Sequence, residues 1–199
     1  MEKARDILAL GMSPPPRVLT CAFMEESQTR GVDLSTRLLR GVEAGIVGGV
    51  AMLALLICGS LLEGRGWWSI PNLLGSTFYG VRALRAGPAL ATLSGAAFHF
   101  TITGAVGAVL GVACGGMRQR TRMLLSAVLA ALFWYYFTQT YFWPRVNARV
   151  PIYAPQPLWM LSHLILGAGI GATLGRSLPK PKPMEIVEAS ASPRMDGIE

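Results

Sequence analysis

Three ionisable residues lie inside long apolar stretches of the chain: Glu43, His99 and His163. An ionisable side chain costs free energy in hydrocarbon, so each of the three needs a chemical explanation. A histidine pair can exchange protons near neutral pH, bind a metal through its ring nitrogens, or form hydrogen bonds between helices. The role that the two histidines can have depends on how the helices that carry them are placed.

Four stretches are long and apolar enough to cross a membrane as helices. The chain has 199 residues, of which 52% are hydrophobic and only 15% charged. A helix needs about 20 apolar residues to cover a hydrocarbon core of about 30 Å. The stretches run over residues 40–62, 91–115, 123–143 and 157–174. We predict an all-α polytopic membrane protein, with a four-transmembrane-helix bundle in residues 37–176.

The segment between the first and second spans is too apolar for an ordinary loop and too broken to cross. It contains Trp67, Trp68 and Tyr79. Tryptophan and tyrosine favour the headgroup level of a membrane, where the ring is buried and the polar atom stays hydrated. We predict an interfacial helix or a shallow re-entrant segment here. The aromatic residues that end the third span, 133–143, predict an aromatic belt in the same way.

The two ends of the chain lack long apolar runs. Residues 1–36 mix charges and three consecutive prolines with single apolar residues, and residues 177–199 open on alternating prolines and lysines. Such compositions bury too little apolar surface to fold on their own. We predict a mobile cytoplasmic N-terminal arm and a disordered cytoplasmic tail.

The basic residues are distributed unequally between the two sides that four spans define. Of the 18 lysines and arginines, thirteen fall in the N-terminal arm, in the turn between the second and third spans, and in the tail. Cytoplasmic segments of membrane proteins carry the excess of positive charge. Both termini are therefore predicted in the cytoplasm. The remaining basic residues belong to the outer side: Arg65, Arg82, Arg85, Arg145 and Arg149.

Three of the four spans carry glycines four residues apart. Glycines at this spacing share one helix face and allow two backbones to approach closely. We predict that they pack the helices of the bundle, or join two copies of the chain in a homo-oligomer. The stripes are Gly41, Gly45 and Gly49 in the first span, Gly107, Gly111 and Gly115 in the second, and Gly167, Gly171 and Gly175 in the fourth.

His99 and His163 are predicted at similar depth, one to two turns below the outer surface, on spans that run in the same direction. The rings could therefore face each other. Hydrogen bonding between helices, sensing of external pH, proton transfer, metal binding and haem ligation are the alternatives, although tight glycine packing argues against a haem cavity. Polar residues predicted near this level are Thr101, Thr103, Gln139, Thr140, Tyr141 and Ser162.

Glu43 lies about one turn inside the cytoplasmic end of the first span. Arg40 precedes it by three residues, which places the two side chains within reach on a helix. A headgroup-level ion pair is one explanation of this carboxylate. A proton or cation relay is the other.

No catalytic signature accompanies these residues. The chain has no HExxH, GxSxG or P-loop motif, and its three cysteines have no CxxC spacing. The arginines flank apolar runs and form no basic helix face with interleaved aromatics, so nucleic-acid binding is not predicted despite the net charge of +7. We predict a non-enzymatic protein without a metal or other cofactor, whose surroundings are the lipid bilayer.

Several features of the chain together resemble a known family. They are Phe98-His99-Phe100 in the second span, the aromatic third span, the proline-bearing segment from Trp143-Pro144 to Pro155-Gln156-Pro157, and Leu161-Ser162-His163-Leu164 at the start of a glycine-rich last span. This pattern resembles the YagU-like family of small four-span bacterial inner-membrane proteins. The resemblance implies a bacterial plasma (inner) membrane location and singles out His99 and His163, without implying a reaction.

Two functions follow as hypotheses. The first is a bundle that packs or self-associates through its glycine stripes and senses conditions at the outer face through the two histidines. The second is a small transport or permeation component that uses Glu43 and the histidines as relay or ligand groups.

Overall fold

The computed structural model describes residues 16–115, 117 and 119–176, with side chains from residue 34 onward. Every regular element in these residues is a helix. Four helical stretches are long and apolar enough to cross a membrane: Leu34–Leu62, Leu90–Ala113, Arg120–Val146 and Gln156–Arg176. The prediction of an all-α chain with four helices able to span a membrane is confirmed.

The helices are numbered here in chain order. They are α1 (Pro16–Leu62), α2 (Ser69–Tyr79), α3 (Val81–Arg85), α4 (Leu90–Ala113), α5 (Arg120–Phe137), α6 (Trp143–Val146), α7 (Arg149–Tyr153) and α8 (Gln156–Arg176). A π-helical turn, Thr138–Phe142, joins α5 to α6. The spans are the second part of α1, then α4, the continuous stretch from α5 through α6, and α8.

Helix α1 begins earlier than the sequence analysis expects. Its backbone is helical from Pro16, whereas a mobile arm is predicted over residues 1–36. Residues 17–36 contain one glycine and no further proline, so nothing in them interrupts the helix. Residues 1–15 and the predicted tail, 177–199, lie outside the described residues.

The spans pack in the order α4, α1, α8, α5. Helix α1 lies against both α4 and α8, and α8 lies against α5. Helices α4 and α5 are joined by a short connection but make little contact with each other along their length. The bundle is therefore open between its second and third spans.

The glycine stripes of α1 and α4 face each other. A Cβ atom on Gly107 would lie 2.5 Å from the Cα of Gly45, and one on Gly111 would lie 2.7 Å from the Cα of Gly41. Such distances are too short for a carbon–carbon contact, so only glycine allows the two backbones to lie this close. This face is covered within one chain, so a second copy could use it only by displacing a span.

The glycines of α8 pack against α5, which has no stripe of its own. A Cβ on Gly167 would lie 2.7 Å from the Cα of Val128, and one on Gly171 would lie 2.7 Å from the Cα of Leu124. A third contact joins α1 to α8 through Gly169, whose Cβ would lie 2.8 Å from the Cα of Gly48. Close helix packing thus reaches all four spans.

The remaining stripe glycines are less tightly enclosed by backbone. Gly49 faces the side chain of Thr103, and Gly115 faces the side chain of Arg37. The nearest atoms to a Cβ on Gly175 would be those of the Arg120 side chain, at 3.8 Å. These three positions have side-chain neighbours, which can shift more readily than a backbone.

The π-helical turn in the third span has a local cause. Pro144 has no N–H, and its ring would clash with the carbonyl of the residue four positions earlier in an α-helix. The N–H of Trp143 instead bonds to the oxygen of Thr138, which widens the turn. The side chain of Arg145 donates a hydrogen bond to the oxygen of Tyr141 at 2.8 Å. The π-type bond and the bond from Arg145 thus replace part of the backbone hydrogen bonding that the proline disrupts.

Helix α2, between the first two spans, is fixed by two buried asparagines. Asn72 donates to the oxygen of Ala86 at 2.9 Å and accepts from the hydroxyl of Thr92 at 2.6 Å. Asn147, from the connection between α6 and α7, donates to the hydroxyl of Ser76 at 2.8 Å. These bonds tie α2 to the start of α4 and to the end of the third span.

Candidate functional site

A cavity of about 40 Å³ lies where α2 and all four spans converge. His99 of α4 and His163 of α8 both line it, and they are only 6% and 4% exposed. A water molecule needs roughly 10–15 Å³ of such space. The cavity therefore has room for a few waters or one very small ligand. The structure brings together the two histidines that the sequence singles out.

His99 is held by the first span. Its Nε2 lies 2.9 Å from the oxygen of Gly49. A carbonyl oxygen only accepts, so Nε2 carries the proton and Nδ1 of the neutral ring has a lone pair. The side chain of Thr103 occupies the space beside Gly49 that a Cβ there would need. Glycine at position 49 thus allows α4 to bring His99 to the backbone of α1.

His163 is held by its own helix. Its Nδ1 lies 2.8 Å from the oxygen of Trp159, which also accepts a hydrogen bond from Ser162 at 2.7 Å. By the same argument Nδ1 carries the proton, and Nε2 has the lone pair. The two rings are therefore in opposite tautomers. Within the described residues, neither the Nδ1 of His99 nor the Nε2 of His163 has a hydrogen-bond partner.

Trp159 adds a donor to the same cavity. Its side chain is 2% exposed, and its Nε1 has no acceptor among the described residues. A buried N–H without a partner is costly, so such a group commonly bonds to water or to a ligand. The residues that line the cavity therefore include one unpaired donor, on Trp159, and two imidazole rings whose second nitrogen can accept a hydrogen bond.

The third span contributes an aromatic and hydroxyl wall. Trp134, Thr138 and Phe142 line the cavity, and the last two belong to the π-helical turn. Turns of this kind are often found at functional sites. The ring of Tyr135 packs edge-on against that of His163, with centroids 5.3 Å apart.

The cavity contains no charged partner for an imidazolium. Its lining residues are apolar, aromatic or hydroxyl-bearing, apart from the two histidines. The titratable side chain of Tyr135 contacts the ring of His163 and is neutral in its protonated form. Protonation of a histidine here would therefore introduce a charge that no carboxylate balances.

Glu43 is separate from this site. It is exposed on α1 and does not line the cavity. Both Glu43 and Arg40 are described residues, and no ion pair joins them. The structure therefore does not bring Glu43 together with the histidines, as a shared relay would require.

The polar residues predicted around the histidines are distributed differently. Thr103 lines the cavity and Ser162 bonds to the oxygen of Trp159. Thr101 is exposed and bonds within its own helix to Ala97. Gln139 has a buried amide that forms no hydrogen bond in the described residues. The two others, Thr140 and Tyr141, are exposed.

The geometry of the cavity does not favour a metal site or a haem site. In the described residues, no group of three or more histidine, cysteine, aspartate or glutamate side chains comes together. Two imidazoles supply half of the ligands of a structural zinc site. A volume of about 40 Å³ is also far below the roughly 300–1,000 Å³ of pockets that hold organic ligands.

The sequence analysis missed the tryptophans of the cavity. It places Trp134 and Trp143 in an aromatic belt at the membrane surface, whereas both line the cavity inside the bundle. The sequence could have indicated Trp159, because it precedes His163 by four residues and therefore lies on the same face of the helix. The same spacing relates Trp134 to Thr138.

The four long apolar helices indicate the class of this molecule, which is a multi-pass membrane protein. Comparisons of the chain with protein-family models, curated proteins and solved structures give no match. The resemblance to the YagU-like family stays a prediction.

Proposed function

We propose that this chain is a non-enzymatic multi-pass protein of the bacterial inner membrane that responds to protons through His99 and His163. One observation carries the proposal. Two histidines from different spans line one small cavity, each with one nitrogen bonded to a backbone carbonyl and the other nitrogen unbonded. The unbonded nitrogen of each ring can accept a proton, and both residues line the same cavity.

The proposed orientation has both termini in the cytoplasm, as the distribution of basic residues favours. His99 then lies about 14 Å from the outer end of α4, and His163 about 10 Å from the outer end of α8, at 1.5 Å per residue. Helix α2, too short at about 16 Å to cross the membrane, becomes an interfacial or shallow re-entrant helix at the outer face. Protons reach the cavity from that side.

Protonation changes the hydrogen bonding of the cavity as well as its charge. It adds an N–H at Nδ1 of His99 or at Nε2 of His163, so an acceptor becomes a donor. Trp159, which lines the same cavity, has a further N–H donor without an acceptor in the described residues. Two or three donors then compete for the hydroxyls and water in the cavity. Because all four spans line it, their packing must adjust, and this adjustment is the proposed response.

Tryptophan fluorescence against pH tests the proposal, because Trp134, Trp143 and Trp159 line the cavity. In purified protein in lipid nanodiscs, the emission should change on acidification, as the histidines become protonated. The double variant His99→Gln, His163→Gln should lose this change.

A matched control separates the cavity from the rest of the molecule. Replacing Trp67 and Trp68, which lie outside the cavity, with phenylalanine should leave the pH response in place. A response that persists in the double histidine variant would contradict the proposal. Proton flux into liposomes that Glu43→Gln abolishes would point to transport instead.

A further inference from the structure

An apolar groove of about 550 Å³ lies between α4 and α5, on the open side of the bundle. Its walls are apolar side chains, with Val106 and Val109 on α4 and Ala130 and Phe133 on α5. Val109 is 67% exposed and Phe133 is 70% exposed, so the groove opens sideways into the surrounding membrane. Because its walls are apolar, an occupant of the groove must be apolar along the whole length of the groove.

The length and lining of the groove suit a hydrocarbon chain. Its α4 wall runs from Phe98 to Leu110, about 18 Å at 1.5 Å per residue. None of the side chains that line the groove is charged or carries a hydroxyl group. An extended acyl chain can therefore lie along it without burying a polar group.

The two ends of the groove differ. At the outer end the ring of Phe98 contacts those of Phe78 and Trp143, at centroid distances of 5.4 and 6.2 Å. These contacts bring α4 against α2 and the third span and close that end. The opposite end leads toward the connection between α4 and α5, so a chain enters from the leaflet at that side.

Positive charge lies at the surface of the same leaflet. Arg120 and Arg122 begin α5 next to that connection, and both are exposed. No ion pair joins either of them to another residue in the described part of the chain. Arginines at the headgroup level attract anionic lipids.

We propose that the groove holds one acyl chain of an anionic phospholipid whose phosphate lies at Arg120 and Arg122. The lipid comes from the leaflet that borders the α4–α5 connection. Phe98, Ile102, Trp134 and Phe142 line both the groove and the histidine cavity. The bound chain thus lies against the far side of the cavity wall.

Native mass spectrometry of the detergent-purified full chain tests this proposal without any measurement of pH response. With phosphatidylglycerol and phosphatidylethanolamine supplied equally, we expect one retained lipid per chain, with phosphatidylglycerol favoured at least tenfold. Ala130→Phe fills the groove and should reduce retention at least tenfold. Leu129→Phe, on an exposed neighbouring residue outside the groove, is the matched control and should retain the lipid.

A second variant leaves the groove intact. Arg120→Gln with Arg122→Gln alters two exposed side chains and should abolish the preference for phosphatidylglycerol. The proposal is overturned if no lipid is retained, if Leu129→Phe loses it as fully as Ala130→Phe, or if the double arginine variant keeps the preference. A dimer of the chain in place of the lipid-bound monomer would likewise overturn it.

Discussion

Each histidine of the cavity uses one ring nitrogen to donate to a backbone carbonyl, which fixes both its orientation and its tautomer. The carbonyl of Gly49 belongs to a different helix from His99, whereas the carbonyl of Trp159 belongs to the same helix as His163. His99 therefore joins two spans, and His163 is positioned by α8 alone. The two residues differ in structural role although they line one cavity.

This difference predicts unequal effects on stability. His99→Leu removes the bond to Gly49 and should lower the free energy of unfolding by about 1 kcal/mol, which is typical of a hydrogen bond between helices in a membrane. His99→Gln keeps a side-chain N–H donor and should lose less. Thermal unfolding in a single detergent measures both variants. Equal stability of His99→Leu and the unaltered chain would contradict the role assigned to this bond.

The histidines could be identified from sequence because ionisable residues in apolar stretches are rare. Trp159 and Thr138 could not be identified so easily, since tryptophan and threonine are common in and beside membrane helices. Spacing shows that Trp159 shares a face with His163, but it does not show that this face meets His99. The contacts that define the cavity come from the order in which the spans pack.

At the scale of the elements, the glycines decide which helix faces meet. Gly107 and Gly111 face α1, while Gly167 and Gly171 face α5. The stripes were evident from their spacing of four residues. Their partners were not, because a stripe of small residues fits any helix surface that lies close enough.

Two glycines on α4 provide a matched test of this packing. Gly107→Ala would place a methyl group 2.5 Å from the Cα of Gly45 and should destabilise the bundle by about 1–3 kcal/mol. Gly104→Ala would bring its methyl group no closer than 3.5 Å to a side-chain carbon of Ile46. It should change stability by less than about 0.5 kcal/mol. Similar losses in both variants would contradict the packing of α4 on α1.

Element boundaries were predictable where hydropathy defines them. The predicted spans over residues 91–115 and 157–174 lie close to Leu90–Ala113 and Gln156–Arg176. The helical backbone upstream of the first span was missed, because a charged helix has no apolar run to mark it. The π-helical turn was missed as well, since Pro144 predicts a disturbed helix but not its geometry.

At the scale of the whole molecule, the bundle is closed on one side and open on the other. Helices α1 and α8 lie in the middle, and α4 and α5 flank them without closing on each other. The histidine cavity and the apolar groove lie on two sides of one wall. The residues proposed to respond to protons and those proposed to contact lipid are therefore only one side chain apart.

The orientation of the molecule can be tested by labelling. In a variant whose three cysteines are replaced by serine, Arg85→Cys should react with a membrane-impermeant maleimide on intact cells. Gln119→Cys, in the connection between α4 and α5, should react only after the cells are permeabilised. Both positions are exposed in the structure. The reverse pattern would invert the proposed topology and place the histidine cavity near the cytoplasm.

The most direct test of the central claim is nitrogen NMR of isotope-labelled histidine in lipid nanodiscs, with His99→Gln and His163→Gln used for assignment. At about pH 8 we predict one ring with its proton on Nε2, His99, and one with its proton on Nδ1, His163. Acidification should convert the rings to the doubly protonated form, and removing one histidine should shift the titration of the other. Two rings in the same tautomer that titrate independently would contradict a shared proton-responsive cavity.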